Sequence, residues 1–432
     1  MSVEVREPGR AELPAYYRVL PFGNGLPSWE PAPAAWHGGP EAWPPAGGPA
    51  SPEELELRAD RDAVDEDFHP VAALVDGQVV GASAMLSMQV TVPGGSLLRI
   101  GGVTDTGVLP THRRRGLLRR MMQAMFGGAL ERGESFAMLS ASEGGIYGRF
   151  GFHPATHRVR WEIDRADACL REAEPDGGSV ELVDAATAKA HWPGLHAKVR
   201  AGRVGELSPR AGRWDGLSDA ARGSDGPLRY LLRRGRDGTV DGLANFTLPW
   251  SPMIEHAGTL VVEALEAITP EAYRALWALL LDFDLTRTVV APGRPRDEPL
   301  RWMLANPRAM RITRQSDNLW GRVLDVRSAL EGRAYAAHGE LSFSVEDDAM
   351  CPSNNGAWRL VVDGSGPHCV RADQAGTDMR IDMAALGALY LGGMSASHLA
   401  FSGRIRPTAP DAVARLSQML RTDPEPHNSF GF

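Results

Sequence analysis

Between Val108 and Gly151 the sequence reads VLPTHRRRGLLRRMMQAMFGGALERGESFAMLSASEGGIYGRFG. A strand runs into a glycine-containing basic loop, the loop opens an arginine-rich helix, and a second strand leads to a tyrosine set between glycines. Gly116 lets the backbone approach a phosphate closely, and the first amides of the helix have no partner within it. The positive end of the helix dipole and the arginine side chains both favour an anion there, so the loop Arg113–Leu118 predicts a site for the pyrophosphate of a nucleotide-like cofactor. A run of arginines by itself is usually a solvated face. The strand before it, the helix after it and the Val-x-Pro ahead of it make a phosphate-binding loop the better reading.

Working outward, Asp76-Gly77 and Gly94-Gly95 separate β-rich runs from Val71 to Val108, which predicts three antiparallel strands joined by tight turns. The arginine-rich helix is expected over Arg115–Arg132 and the next strand over FAMLSAS, giving a first α/β domain with a helix packed on its sheet. A short helix is expected at Glu12–Leu20. The stretch from Pro21 to Pro52 is rich in Pro, Gly and Ala, which argues for a long loop. Phe22, Trp29, Trp36 and Trp43 interrupt it, and such aromatics either wall a binding site or pin the loop to its domain. The polar, Gly-rich residues 173–179 predict a linker. Beyond it, short strands and helices recur without a second basic glycine loop, and a further segment of strands and helices begins near Gly339.

The chain has 432 residues, 43% of them hydrophobic, enough for two or three packed cores. A formal net charge of -8 argues against nucleic acid and against an anionic membrane surface, and favours a cationic partner. Cys169, Cys351 and Cys369 form no CxxC pair, so neither a metal site nor a disulfide framework is indicated. The N-terminus shows no apolar signal segment and no run is long enough to span a bilayer, so the expected compartment is the cytoplasm.

The pattern Val108-Leu109-Pro110-x-His112-Arg-Arg-Arg-Gly-Leu-Leu118 resembles the acetyl-coenzyme A loop of the GNAT acetyltransferases, and SEGGIYGRFGF resembles their Eis branch. PEAYRALWALLLDFDL, PLRWMLANPRAMRIT, DNLWGRVLDVRSALEGRAY and the terminal phenylalanine extend the resemblance over nearly the whole chain. What the resemblance implies is an α/β (α+β) chain of tandem GNAT-like domains followed by a sterol carrier protein-like domain, assembled as a homohexamer. The divisions are a catalytic domain over 1–172, a degenerate second GNAT-like domain over 173–335, and a sterol carrier-like domain over 336–432 that brings a catalytic C-terminus. Thr106, Gly107 and Val108 are implied to pair with the pantetheine arm, and Arg114, Arg115, Gly116, Leu117, Leu118 and Arg119 to hold the pyrophosphate. Ser142 and Glu143 are implied to flank the thioester, with Tyr147 as general acid and the terminal carboxylate of Phe432 as general base. Phe22, Trp29 and Trp36 are candidates for the acceptor pocket.

The two implied roles make chemical sense. An amine attacks an acyl carbon only as the free base, so a carboxylate that attracts the cation and takes its proton suits Phe432, and a phenol that protonates the departing thiolate suits Tyr147. The amide of Val108 is placed to polarise the thioester carbonyl. Aminoglycosides and related polycationic amines are the acceptors implied by the family. A protein lysine, a natural-product amine, or a lipid-binding scaffold with a vestigial cofactor loop are the alternatives.

Overall fold

The computed structural model describes residues 2–23, 51–210, 212–218, 226–248, 258–373 and 376–432. Trp29, Trp36 and Trp43 lie outside the described residues, and Phe22 is described only as backbone in a helix. That helix, α1 (Leu13–Gly23), passes the expected stop at Leu20 by three residues. A second helix, α2 (Pro52–Asp62), begins at the last residue of the expected loop and covers residues for which no element was expected. Ser51 caps it by accepting from Glu54 N while its own amide donates to Glu54, and Pro52 fits the first turn.

The described residues form three sheets. The first runs in the order β1 (Val3–Arg6), β2 (Phe68–Val75), β3 (Gln78–Thr91), β4 (Leu97–Val108), β5 (Phe136–Ser140), the strand Leu319–Val323, and β6 (His153–Pro154). The expected hairpins are present: Asp76 (φ 48°) and Gly77 (φ 80°) turn β2 into β3, and Gly94 and Gly95 turn β3 into β4. Helix α3 (Leu117–Glu131) crosses from β4 to the parallel β5 and buries Leu117, Met121, Met122, Met125, Phe126 and Ala129 on the sheet, a helical stripe that leaves Arg119 and Arg120 outside.

The second sheet runs Met310–Asp317, β7 (His157–Asp164), Thr286–Arg294, Gly258–Ala267, Val240–Thr247, Arg229–Arg234 and Ser179–Val183. The third has five strands, with Gly339–Val345 at its centre. Sheet membership therefore differs from the divisions expected at residues 172 and 335. β7 leaves the first segment for the second sheet, and Leu319–Val323 returns to the first. The two connections cross at one point, where Ala155 N and Thr156 N both donate to Leu319 O (2.8 and 3.1 Å) and Asn318 N donates to Thr156 O (3.0 Å).

The third domain docks on the first through a buried charge. Arg322, 1% exposed at its side chain, pairs with Asp348 at 2.7 Å, and Asp348 also accepts from the amides of Met350 and Cys351 and from the Asn354 amide group. Removing one member of such a pair strands the other. Asp348→Ala is therefore expected to cost about 3–5 kcal/mol, read as a fall in the urea midpoint of the transition that includes the third domain.

Candidate functional site

β4 and β5 pair only where Ile100, Gly101 and Gly102 face Phe136, Ala137 and Met138. Past that point β4 bulges: Asp105 and Thr106 together oppose Ser83, and Asp105 takes a left-handed φ of 51°. The strands diverge and a cleft of about 870 Å³ opens between them. One wall is Val103–Val108; the other carries Ser140, Ser142, Glu143, Ile146 and Tyr147.

The basic loop closes one end. After the turn Pro110–His112, Arg114 (φ 63°) and Gly116 (φ 76°) bring the chain to α3. The space around Gly116 is open, so its left-handed φ and not crowding calls for glycine. Gly116 is also the N-cap and offers no side chain, which leaves the first amides of α3 for a ligand. Arg113, Arg114, Leu117, Leu118 and Arg119 line the cleft beside it. Arg115 does not: its guanidinium donates back to Thr111 O (3.4 Å) and braces the loop, and Arg113 stands in the wall instead.

Tyr147 ends a single helical turn, α4 (Gly144–Tyr147), which fits under the Trp320 ring because a Cβ on Gly144 would already lie 3.3 Å from it. Its ring packs edge-on against Phe152, and Thr106 and Ser142 line the cleft near its hydroxyl. Burial raises the phenol above its ordinary value, with Thr106 and Ser142 opposing the shift and Glu143 adding to it, so the group is protonated at neutral pH.

Phe432 reaches the same cleft from the far end of the chain. Its ring lies on Gly102, where a Cβ would stand 2.7 Å from Phe432 Cε2 and 2.8 Å from Met88 Sδ. Thus, of the cofactor and catalytic residues expected from the sequence, all but Arg115 line one cavity. Behind Phe432 a second cavity of about 400 Å³ shares Thr104 and Asp105 with the cleft and adds Arg58, Arg210, Arg213 and Phe430.

Asp105 went unremarked in the sequence reading. It pairs with Arg58 at 2.8 Å, and burial raises its carboxyl while Arg58 opposes. The signal was an acid inside the strand end VTDTGV, placed where the two cavities meet.

The second sheet repeats the strand–helix–parallel strand unit without the loop. Gly258–Ala267 passes through Ile268 and Thr269 directly into the helix Pro270–Leu281 and on to the parallel Thr286–Arg294. Thr269 caps Ala272 N at 3.1 Å and Pro270 has no amide to offer, so this helix start is closed to an anion.

Comparison with known proteins agrees with this architecture. The acetyltransferase (GNAT) domain family matches residues 47–155, a second acetyltransferase (GNAT) domain family matches 205–327, and the sterol carrier protein domain family matches 326–429. An uncharacterised N-acetyltransferase of Streptomyces coelicolor is 37% identical over 407 residues, covering 89% of this chain and 94% of its own. The N-acetyltransferase Eis of Mycobacterium tuberculosis is 33% identical over 363 residues, covering 82% and 86%. The crystal structure of Eis1 from Mycobacterium abscessus superposes over 100% of both chains with a TM-score of 0.81 at 28% identity.

An alanine at Gly116 has room but must adopt a left-handed φ at a cost of about 1–2 kcal/mol, and a loop that relaxes to avoid it turns the α3 amides aside. Gly116→Ala is expected to weaken coenzyme A binding about tenfold by calorimetry. Unchanged affinity would show that the loop conformation does not hold the ligand.

Proposed function

Because the chain belongs to the Eis family of GNAT N-acetyltransferases, we propose that it transfers the acetyl group of acetyl-coenzyme A directly to an amine, with aminoglycosides and related polycationic amines as the acceptor class. The observation that carries this reading is that the phosphate loop, Tyr147 and Phe432, far apart in sequence, line one cleft. The residues present fit the cosubstrate: uncapped α3 amides and Arg113, Arg114 and Arg119 for the pyrophosphate, and the splayed edge of β4 for the pantetheine arm. Acetyl-coenzyme A supplies an activated acyl group on a thiol leaving group.

The chain's own groups do the rest. The carboxylate of Phe432 draws the ammonium form of the acceptor to the cleft and takes its proton, which frees the nitrogen lone pair. Tyr147, kept protonated by burial, gives a proton to the departing thiolate. The amide of Val108 faces the reacting carbonyl as the donor that stabilises charge on its oxygen. The acceptor then occupies the side of Phe432 where the second cavity opens, beside Asp105.

Asp105 offers a second reading of the base, since it is a carboxylate whose proton affinity burial has raised and which borders both cavities. Its bond to Arg58 favours the attracting role over the proton-accepting one. The two are separable. Extending the chain past Phe432, or deleting Phe432, is expected to lower kcat about a hundredfold if the terminal carboxylate is the base. Full activity of the extended chain together with loss in Asp105→Asn would transfer the role to Asp105.

Tyr147→Phe should lower kcat by about 10²–10³-fold while leaving coenzyme A affinity within about twofold. Parallel loss of both would assign the ring to packing instead. Thiol release from acetyl-coenzyme A against aminoglycosides, polyamines and lysine peptides, with acetyl groups counted by mass spectrometry, tests the acceptor. Turnover confined to lysine peptides would overturn the aminoglycoside assignment.

A further inference from the structure

The last residues of the chain reach the cleft through a buried clasp that lies outside it. The segment 204–207 follows the helix Ala185–Gly202 of the second domain and runs between two neighbours. On one side it extends β3 of the first sheet: Gly205 N donates to Thr91 O (2.8 Å), Thr91 N to Glu206 O (3.0 Å) and Ser208 N to Gln89 O (2.7 Å). On the other it pairs with the tail, as His427 N donates to Val204 O (2.9 Å) and Leu207 N to Asn428 Oδ1 (3.4 Å). Gly205, at φ 90°, permits this approach, because a Cβ there would stand 3.1 Å from His427 O.

Glu206 is the centre of the clasp. It is 1% exposed, and among the described residues no arginine or lysine forms a salt bridge with it. His196 and Arg294 are the cationic groups whose field reaches it, but neither bonds its oxygens, and a buried carboxyl group is tolerated only where its oxygens are hydrogen-bonded. Both oxygens of Glu206 turn to one residue of the tail: Oε1 accepts from Ser429 N (3.0 Å) and Ser429 Oγ (2.9 Å), and Oε2 also approaches Ser429 N (3.2 Å). Past Ser429 the tail is held by side chains alone, with the Phe430 ring 3.8 Å from the Arg213 guanidinium and the Phe432 ring on Gly102. Only Phe430 and Gly431 separate the clasp at Ser429 from Phe432 in the cleft.

We propose that Glu206 is a positioning residue for acetyl transfer: by clasping Ser429 it fixes the terminal carboxylate of Phe432 at the cleft, and the second domain, which has no phosphate loop, serves as the anchor of that terminus. The positioning role rests on the reading of Phe432 as the base; the clasp does not.

The test measures tail release and turnover on the full chain. In Glu206→Ala, carboxypeptidase should remove Phe432 about tenfold faster or more, because the bonds from Ser429 N and Ser429 Oγ are lost. The same variant should lose about tenfold in kcat with coenzyme A affinity unchanged, and Glu206→Gln, which keeps an acceptor oxygen facing Ser429, should restore both. Ser429→Pro removes the donor amide from the tail side without touching either domain core, and should behave like Glu206→Ala even if that variant folds poorly. Undiminished protection of Phe432 in both Glu206→Ala and Ser429→Pro overturns the clasp. Faster release with turnover intact overturns the positioning role, and full activity of the chain lacking Phe432 then identifies the terminal-carboxylate reading as the part that failed.

Discussion

Two strands that cannot follow one another create the site. β4 is held by β3 as far as Val108, which pairs with Gly81, and the bulge at Asp105 and Thr106 bends it within that pairing. β5 is held on its other side by Leu319–Val323 over its whole length, from Phe136 opposite Val323 to Ser140 opposite Leu319. Neither strand is free to close the gap beyond Gly102, because closure would break a ladder on the far side. The wedge is thus a consequence of sheet pairing and does not depend on a ligand to stay open. The two strands from which the walls spring are each held by five or more paired residues, which suits a site that must place donors to within fractions of an ångström.

The second sheet shows what the first would be without a binding function. Its parallel strands and crossover helix repeat the same unit, but the connection shortens to Ile268 and Thr269, and the helix start carries Thr269 and Pro270 in place of Gly116. The cap and the proline favour the helix, whereas the glycine and the left-handed Arg114 in the first domain cost stability and leave amides exposed. Local sequence at the two helix starts thus points in opposite directions, towards ligand in one domain and towards a closed scaffold in the other. The scaffold still acts on the site, since the segment that follows its long helix lies between β3 and the C-terminal tail.

Much of this was legible from residue types alone. Asp76-Gly77 fixed a turn because few residues tolerate two consecutive left-handed positions, and the stripe Leu117, Met121, Met125 and Ala129 fixed the buried face of α3. What the residues could not disclose is long-range pairing. Nothing in Leu319–Val323 or His157–Asp164 says which sheet each will join, because a strand with one apolar face fits either, and the choice is made at the crossing of Thr156 and Leu319. Arg115 looked like its neighbours in the basic run, yet backbone direction at Arg114 turns it back towards Thr111. Nothing in the residues beside Glu206 announces a buried acid, because what covers it is the tail more than two hundred residues away.

Charge at the proposed acceptor side argues for attraction at short range and not through the overall field. The arginines around the second cavity are largely matched: Arg58 by Asp62 and Asp105, and Arg210 by Asp62 and Asp65. Asp62 is buried and also accepts from the Tyr17 hydroxyl at 2.7 Å, so these pairs build the wall on which the cavity rests. Exposed charges further away are screened over about 8–10 Å at ordinary ionic strength, so the net charge of -8 adds little inside the cleft. The carboxyl groups that line the cleft and the second cavity are those of Asp105, Glu143 and the chain end at Phe432. In the proposed reaction, an ammonium entering from the second cavity would pass Asp105 and Phe432, which line both cavities, before it met the face of β4.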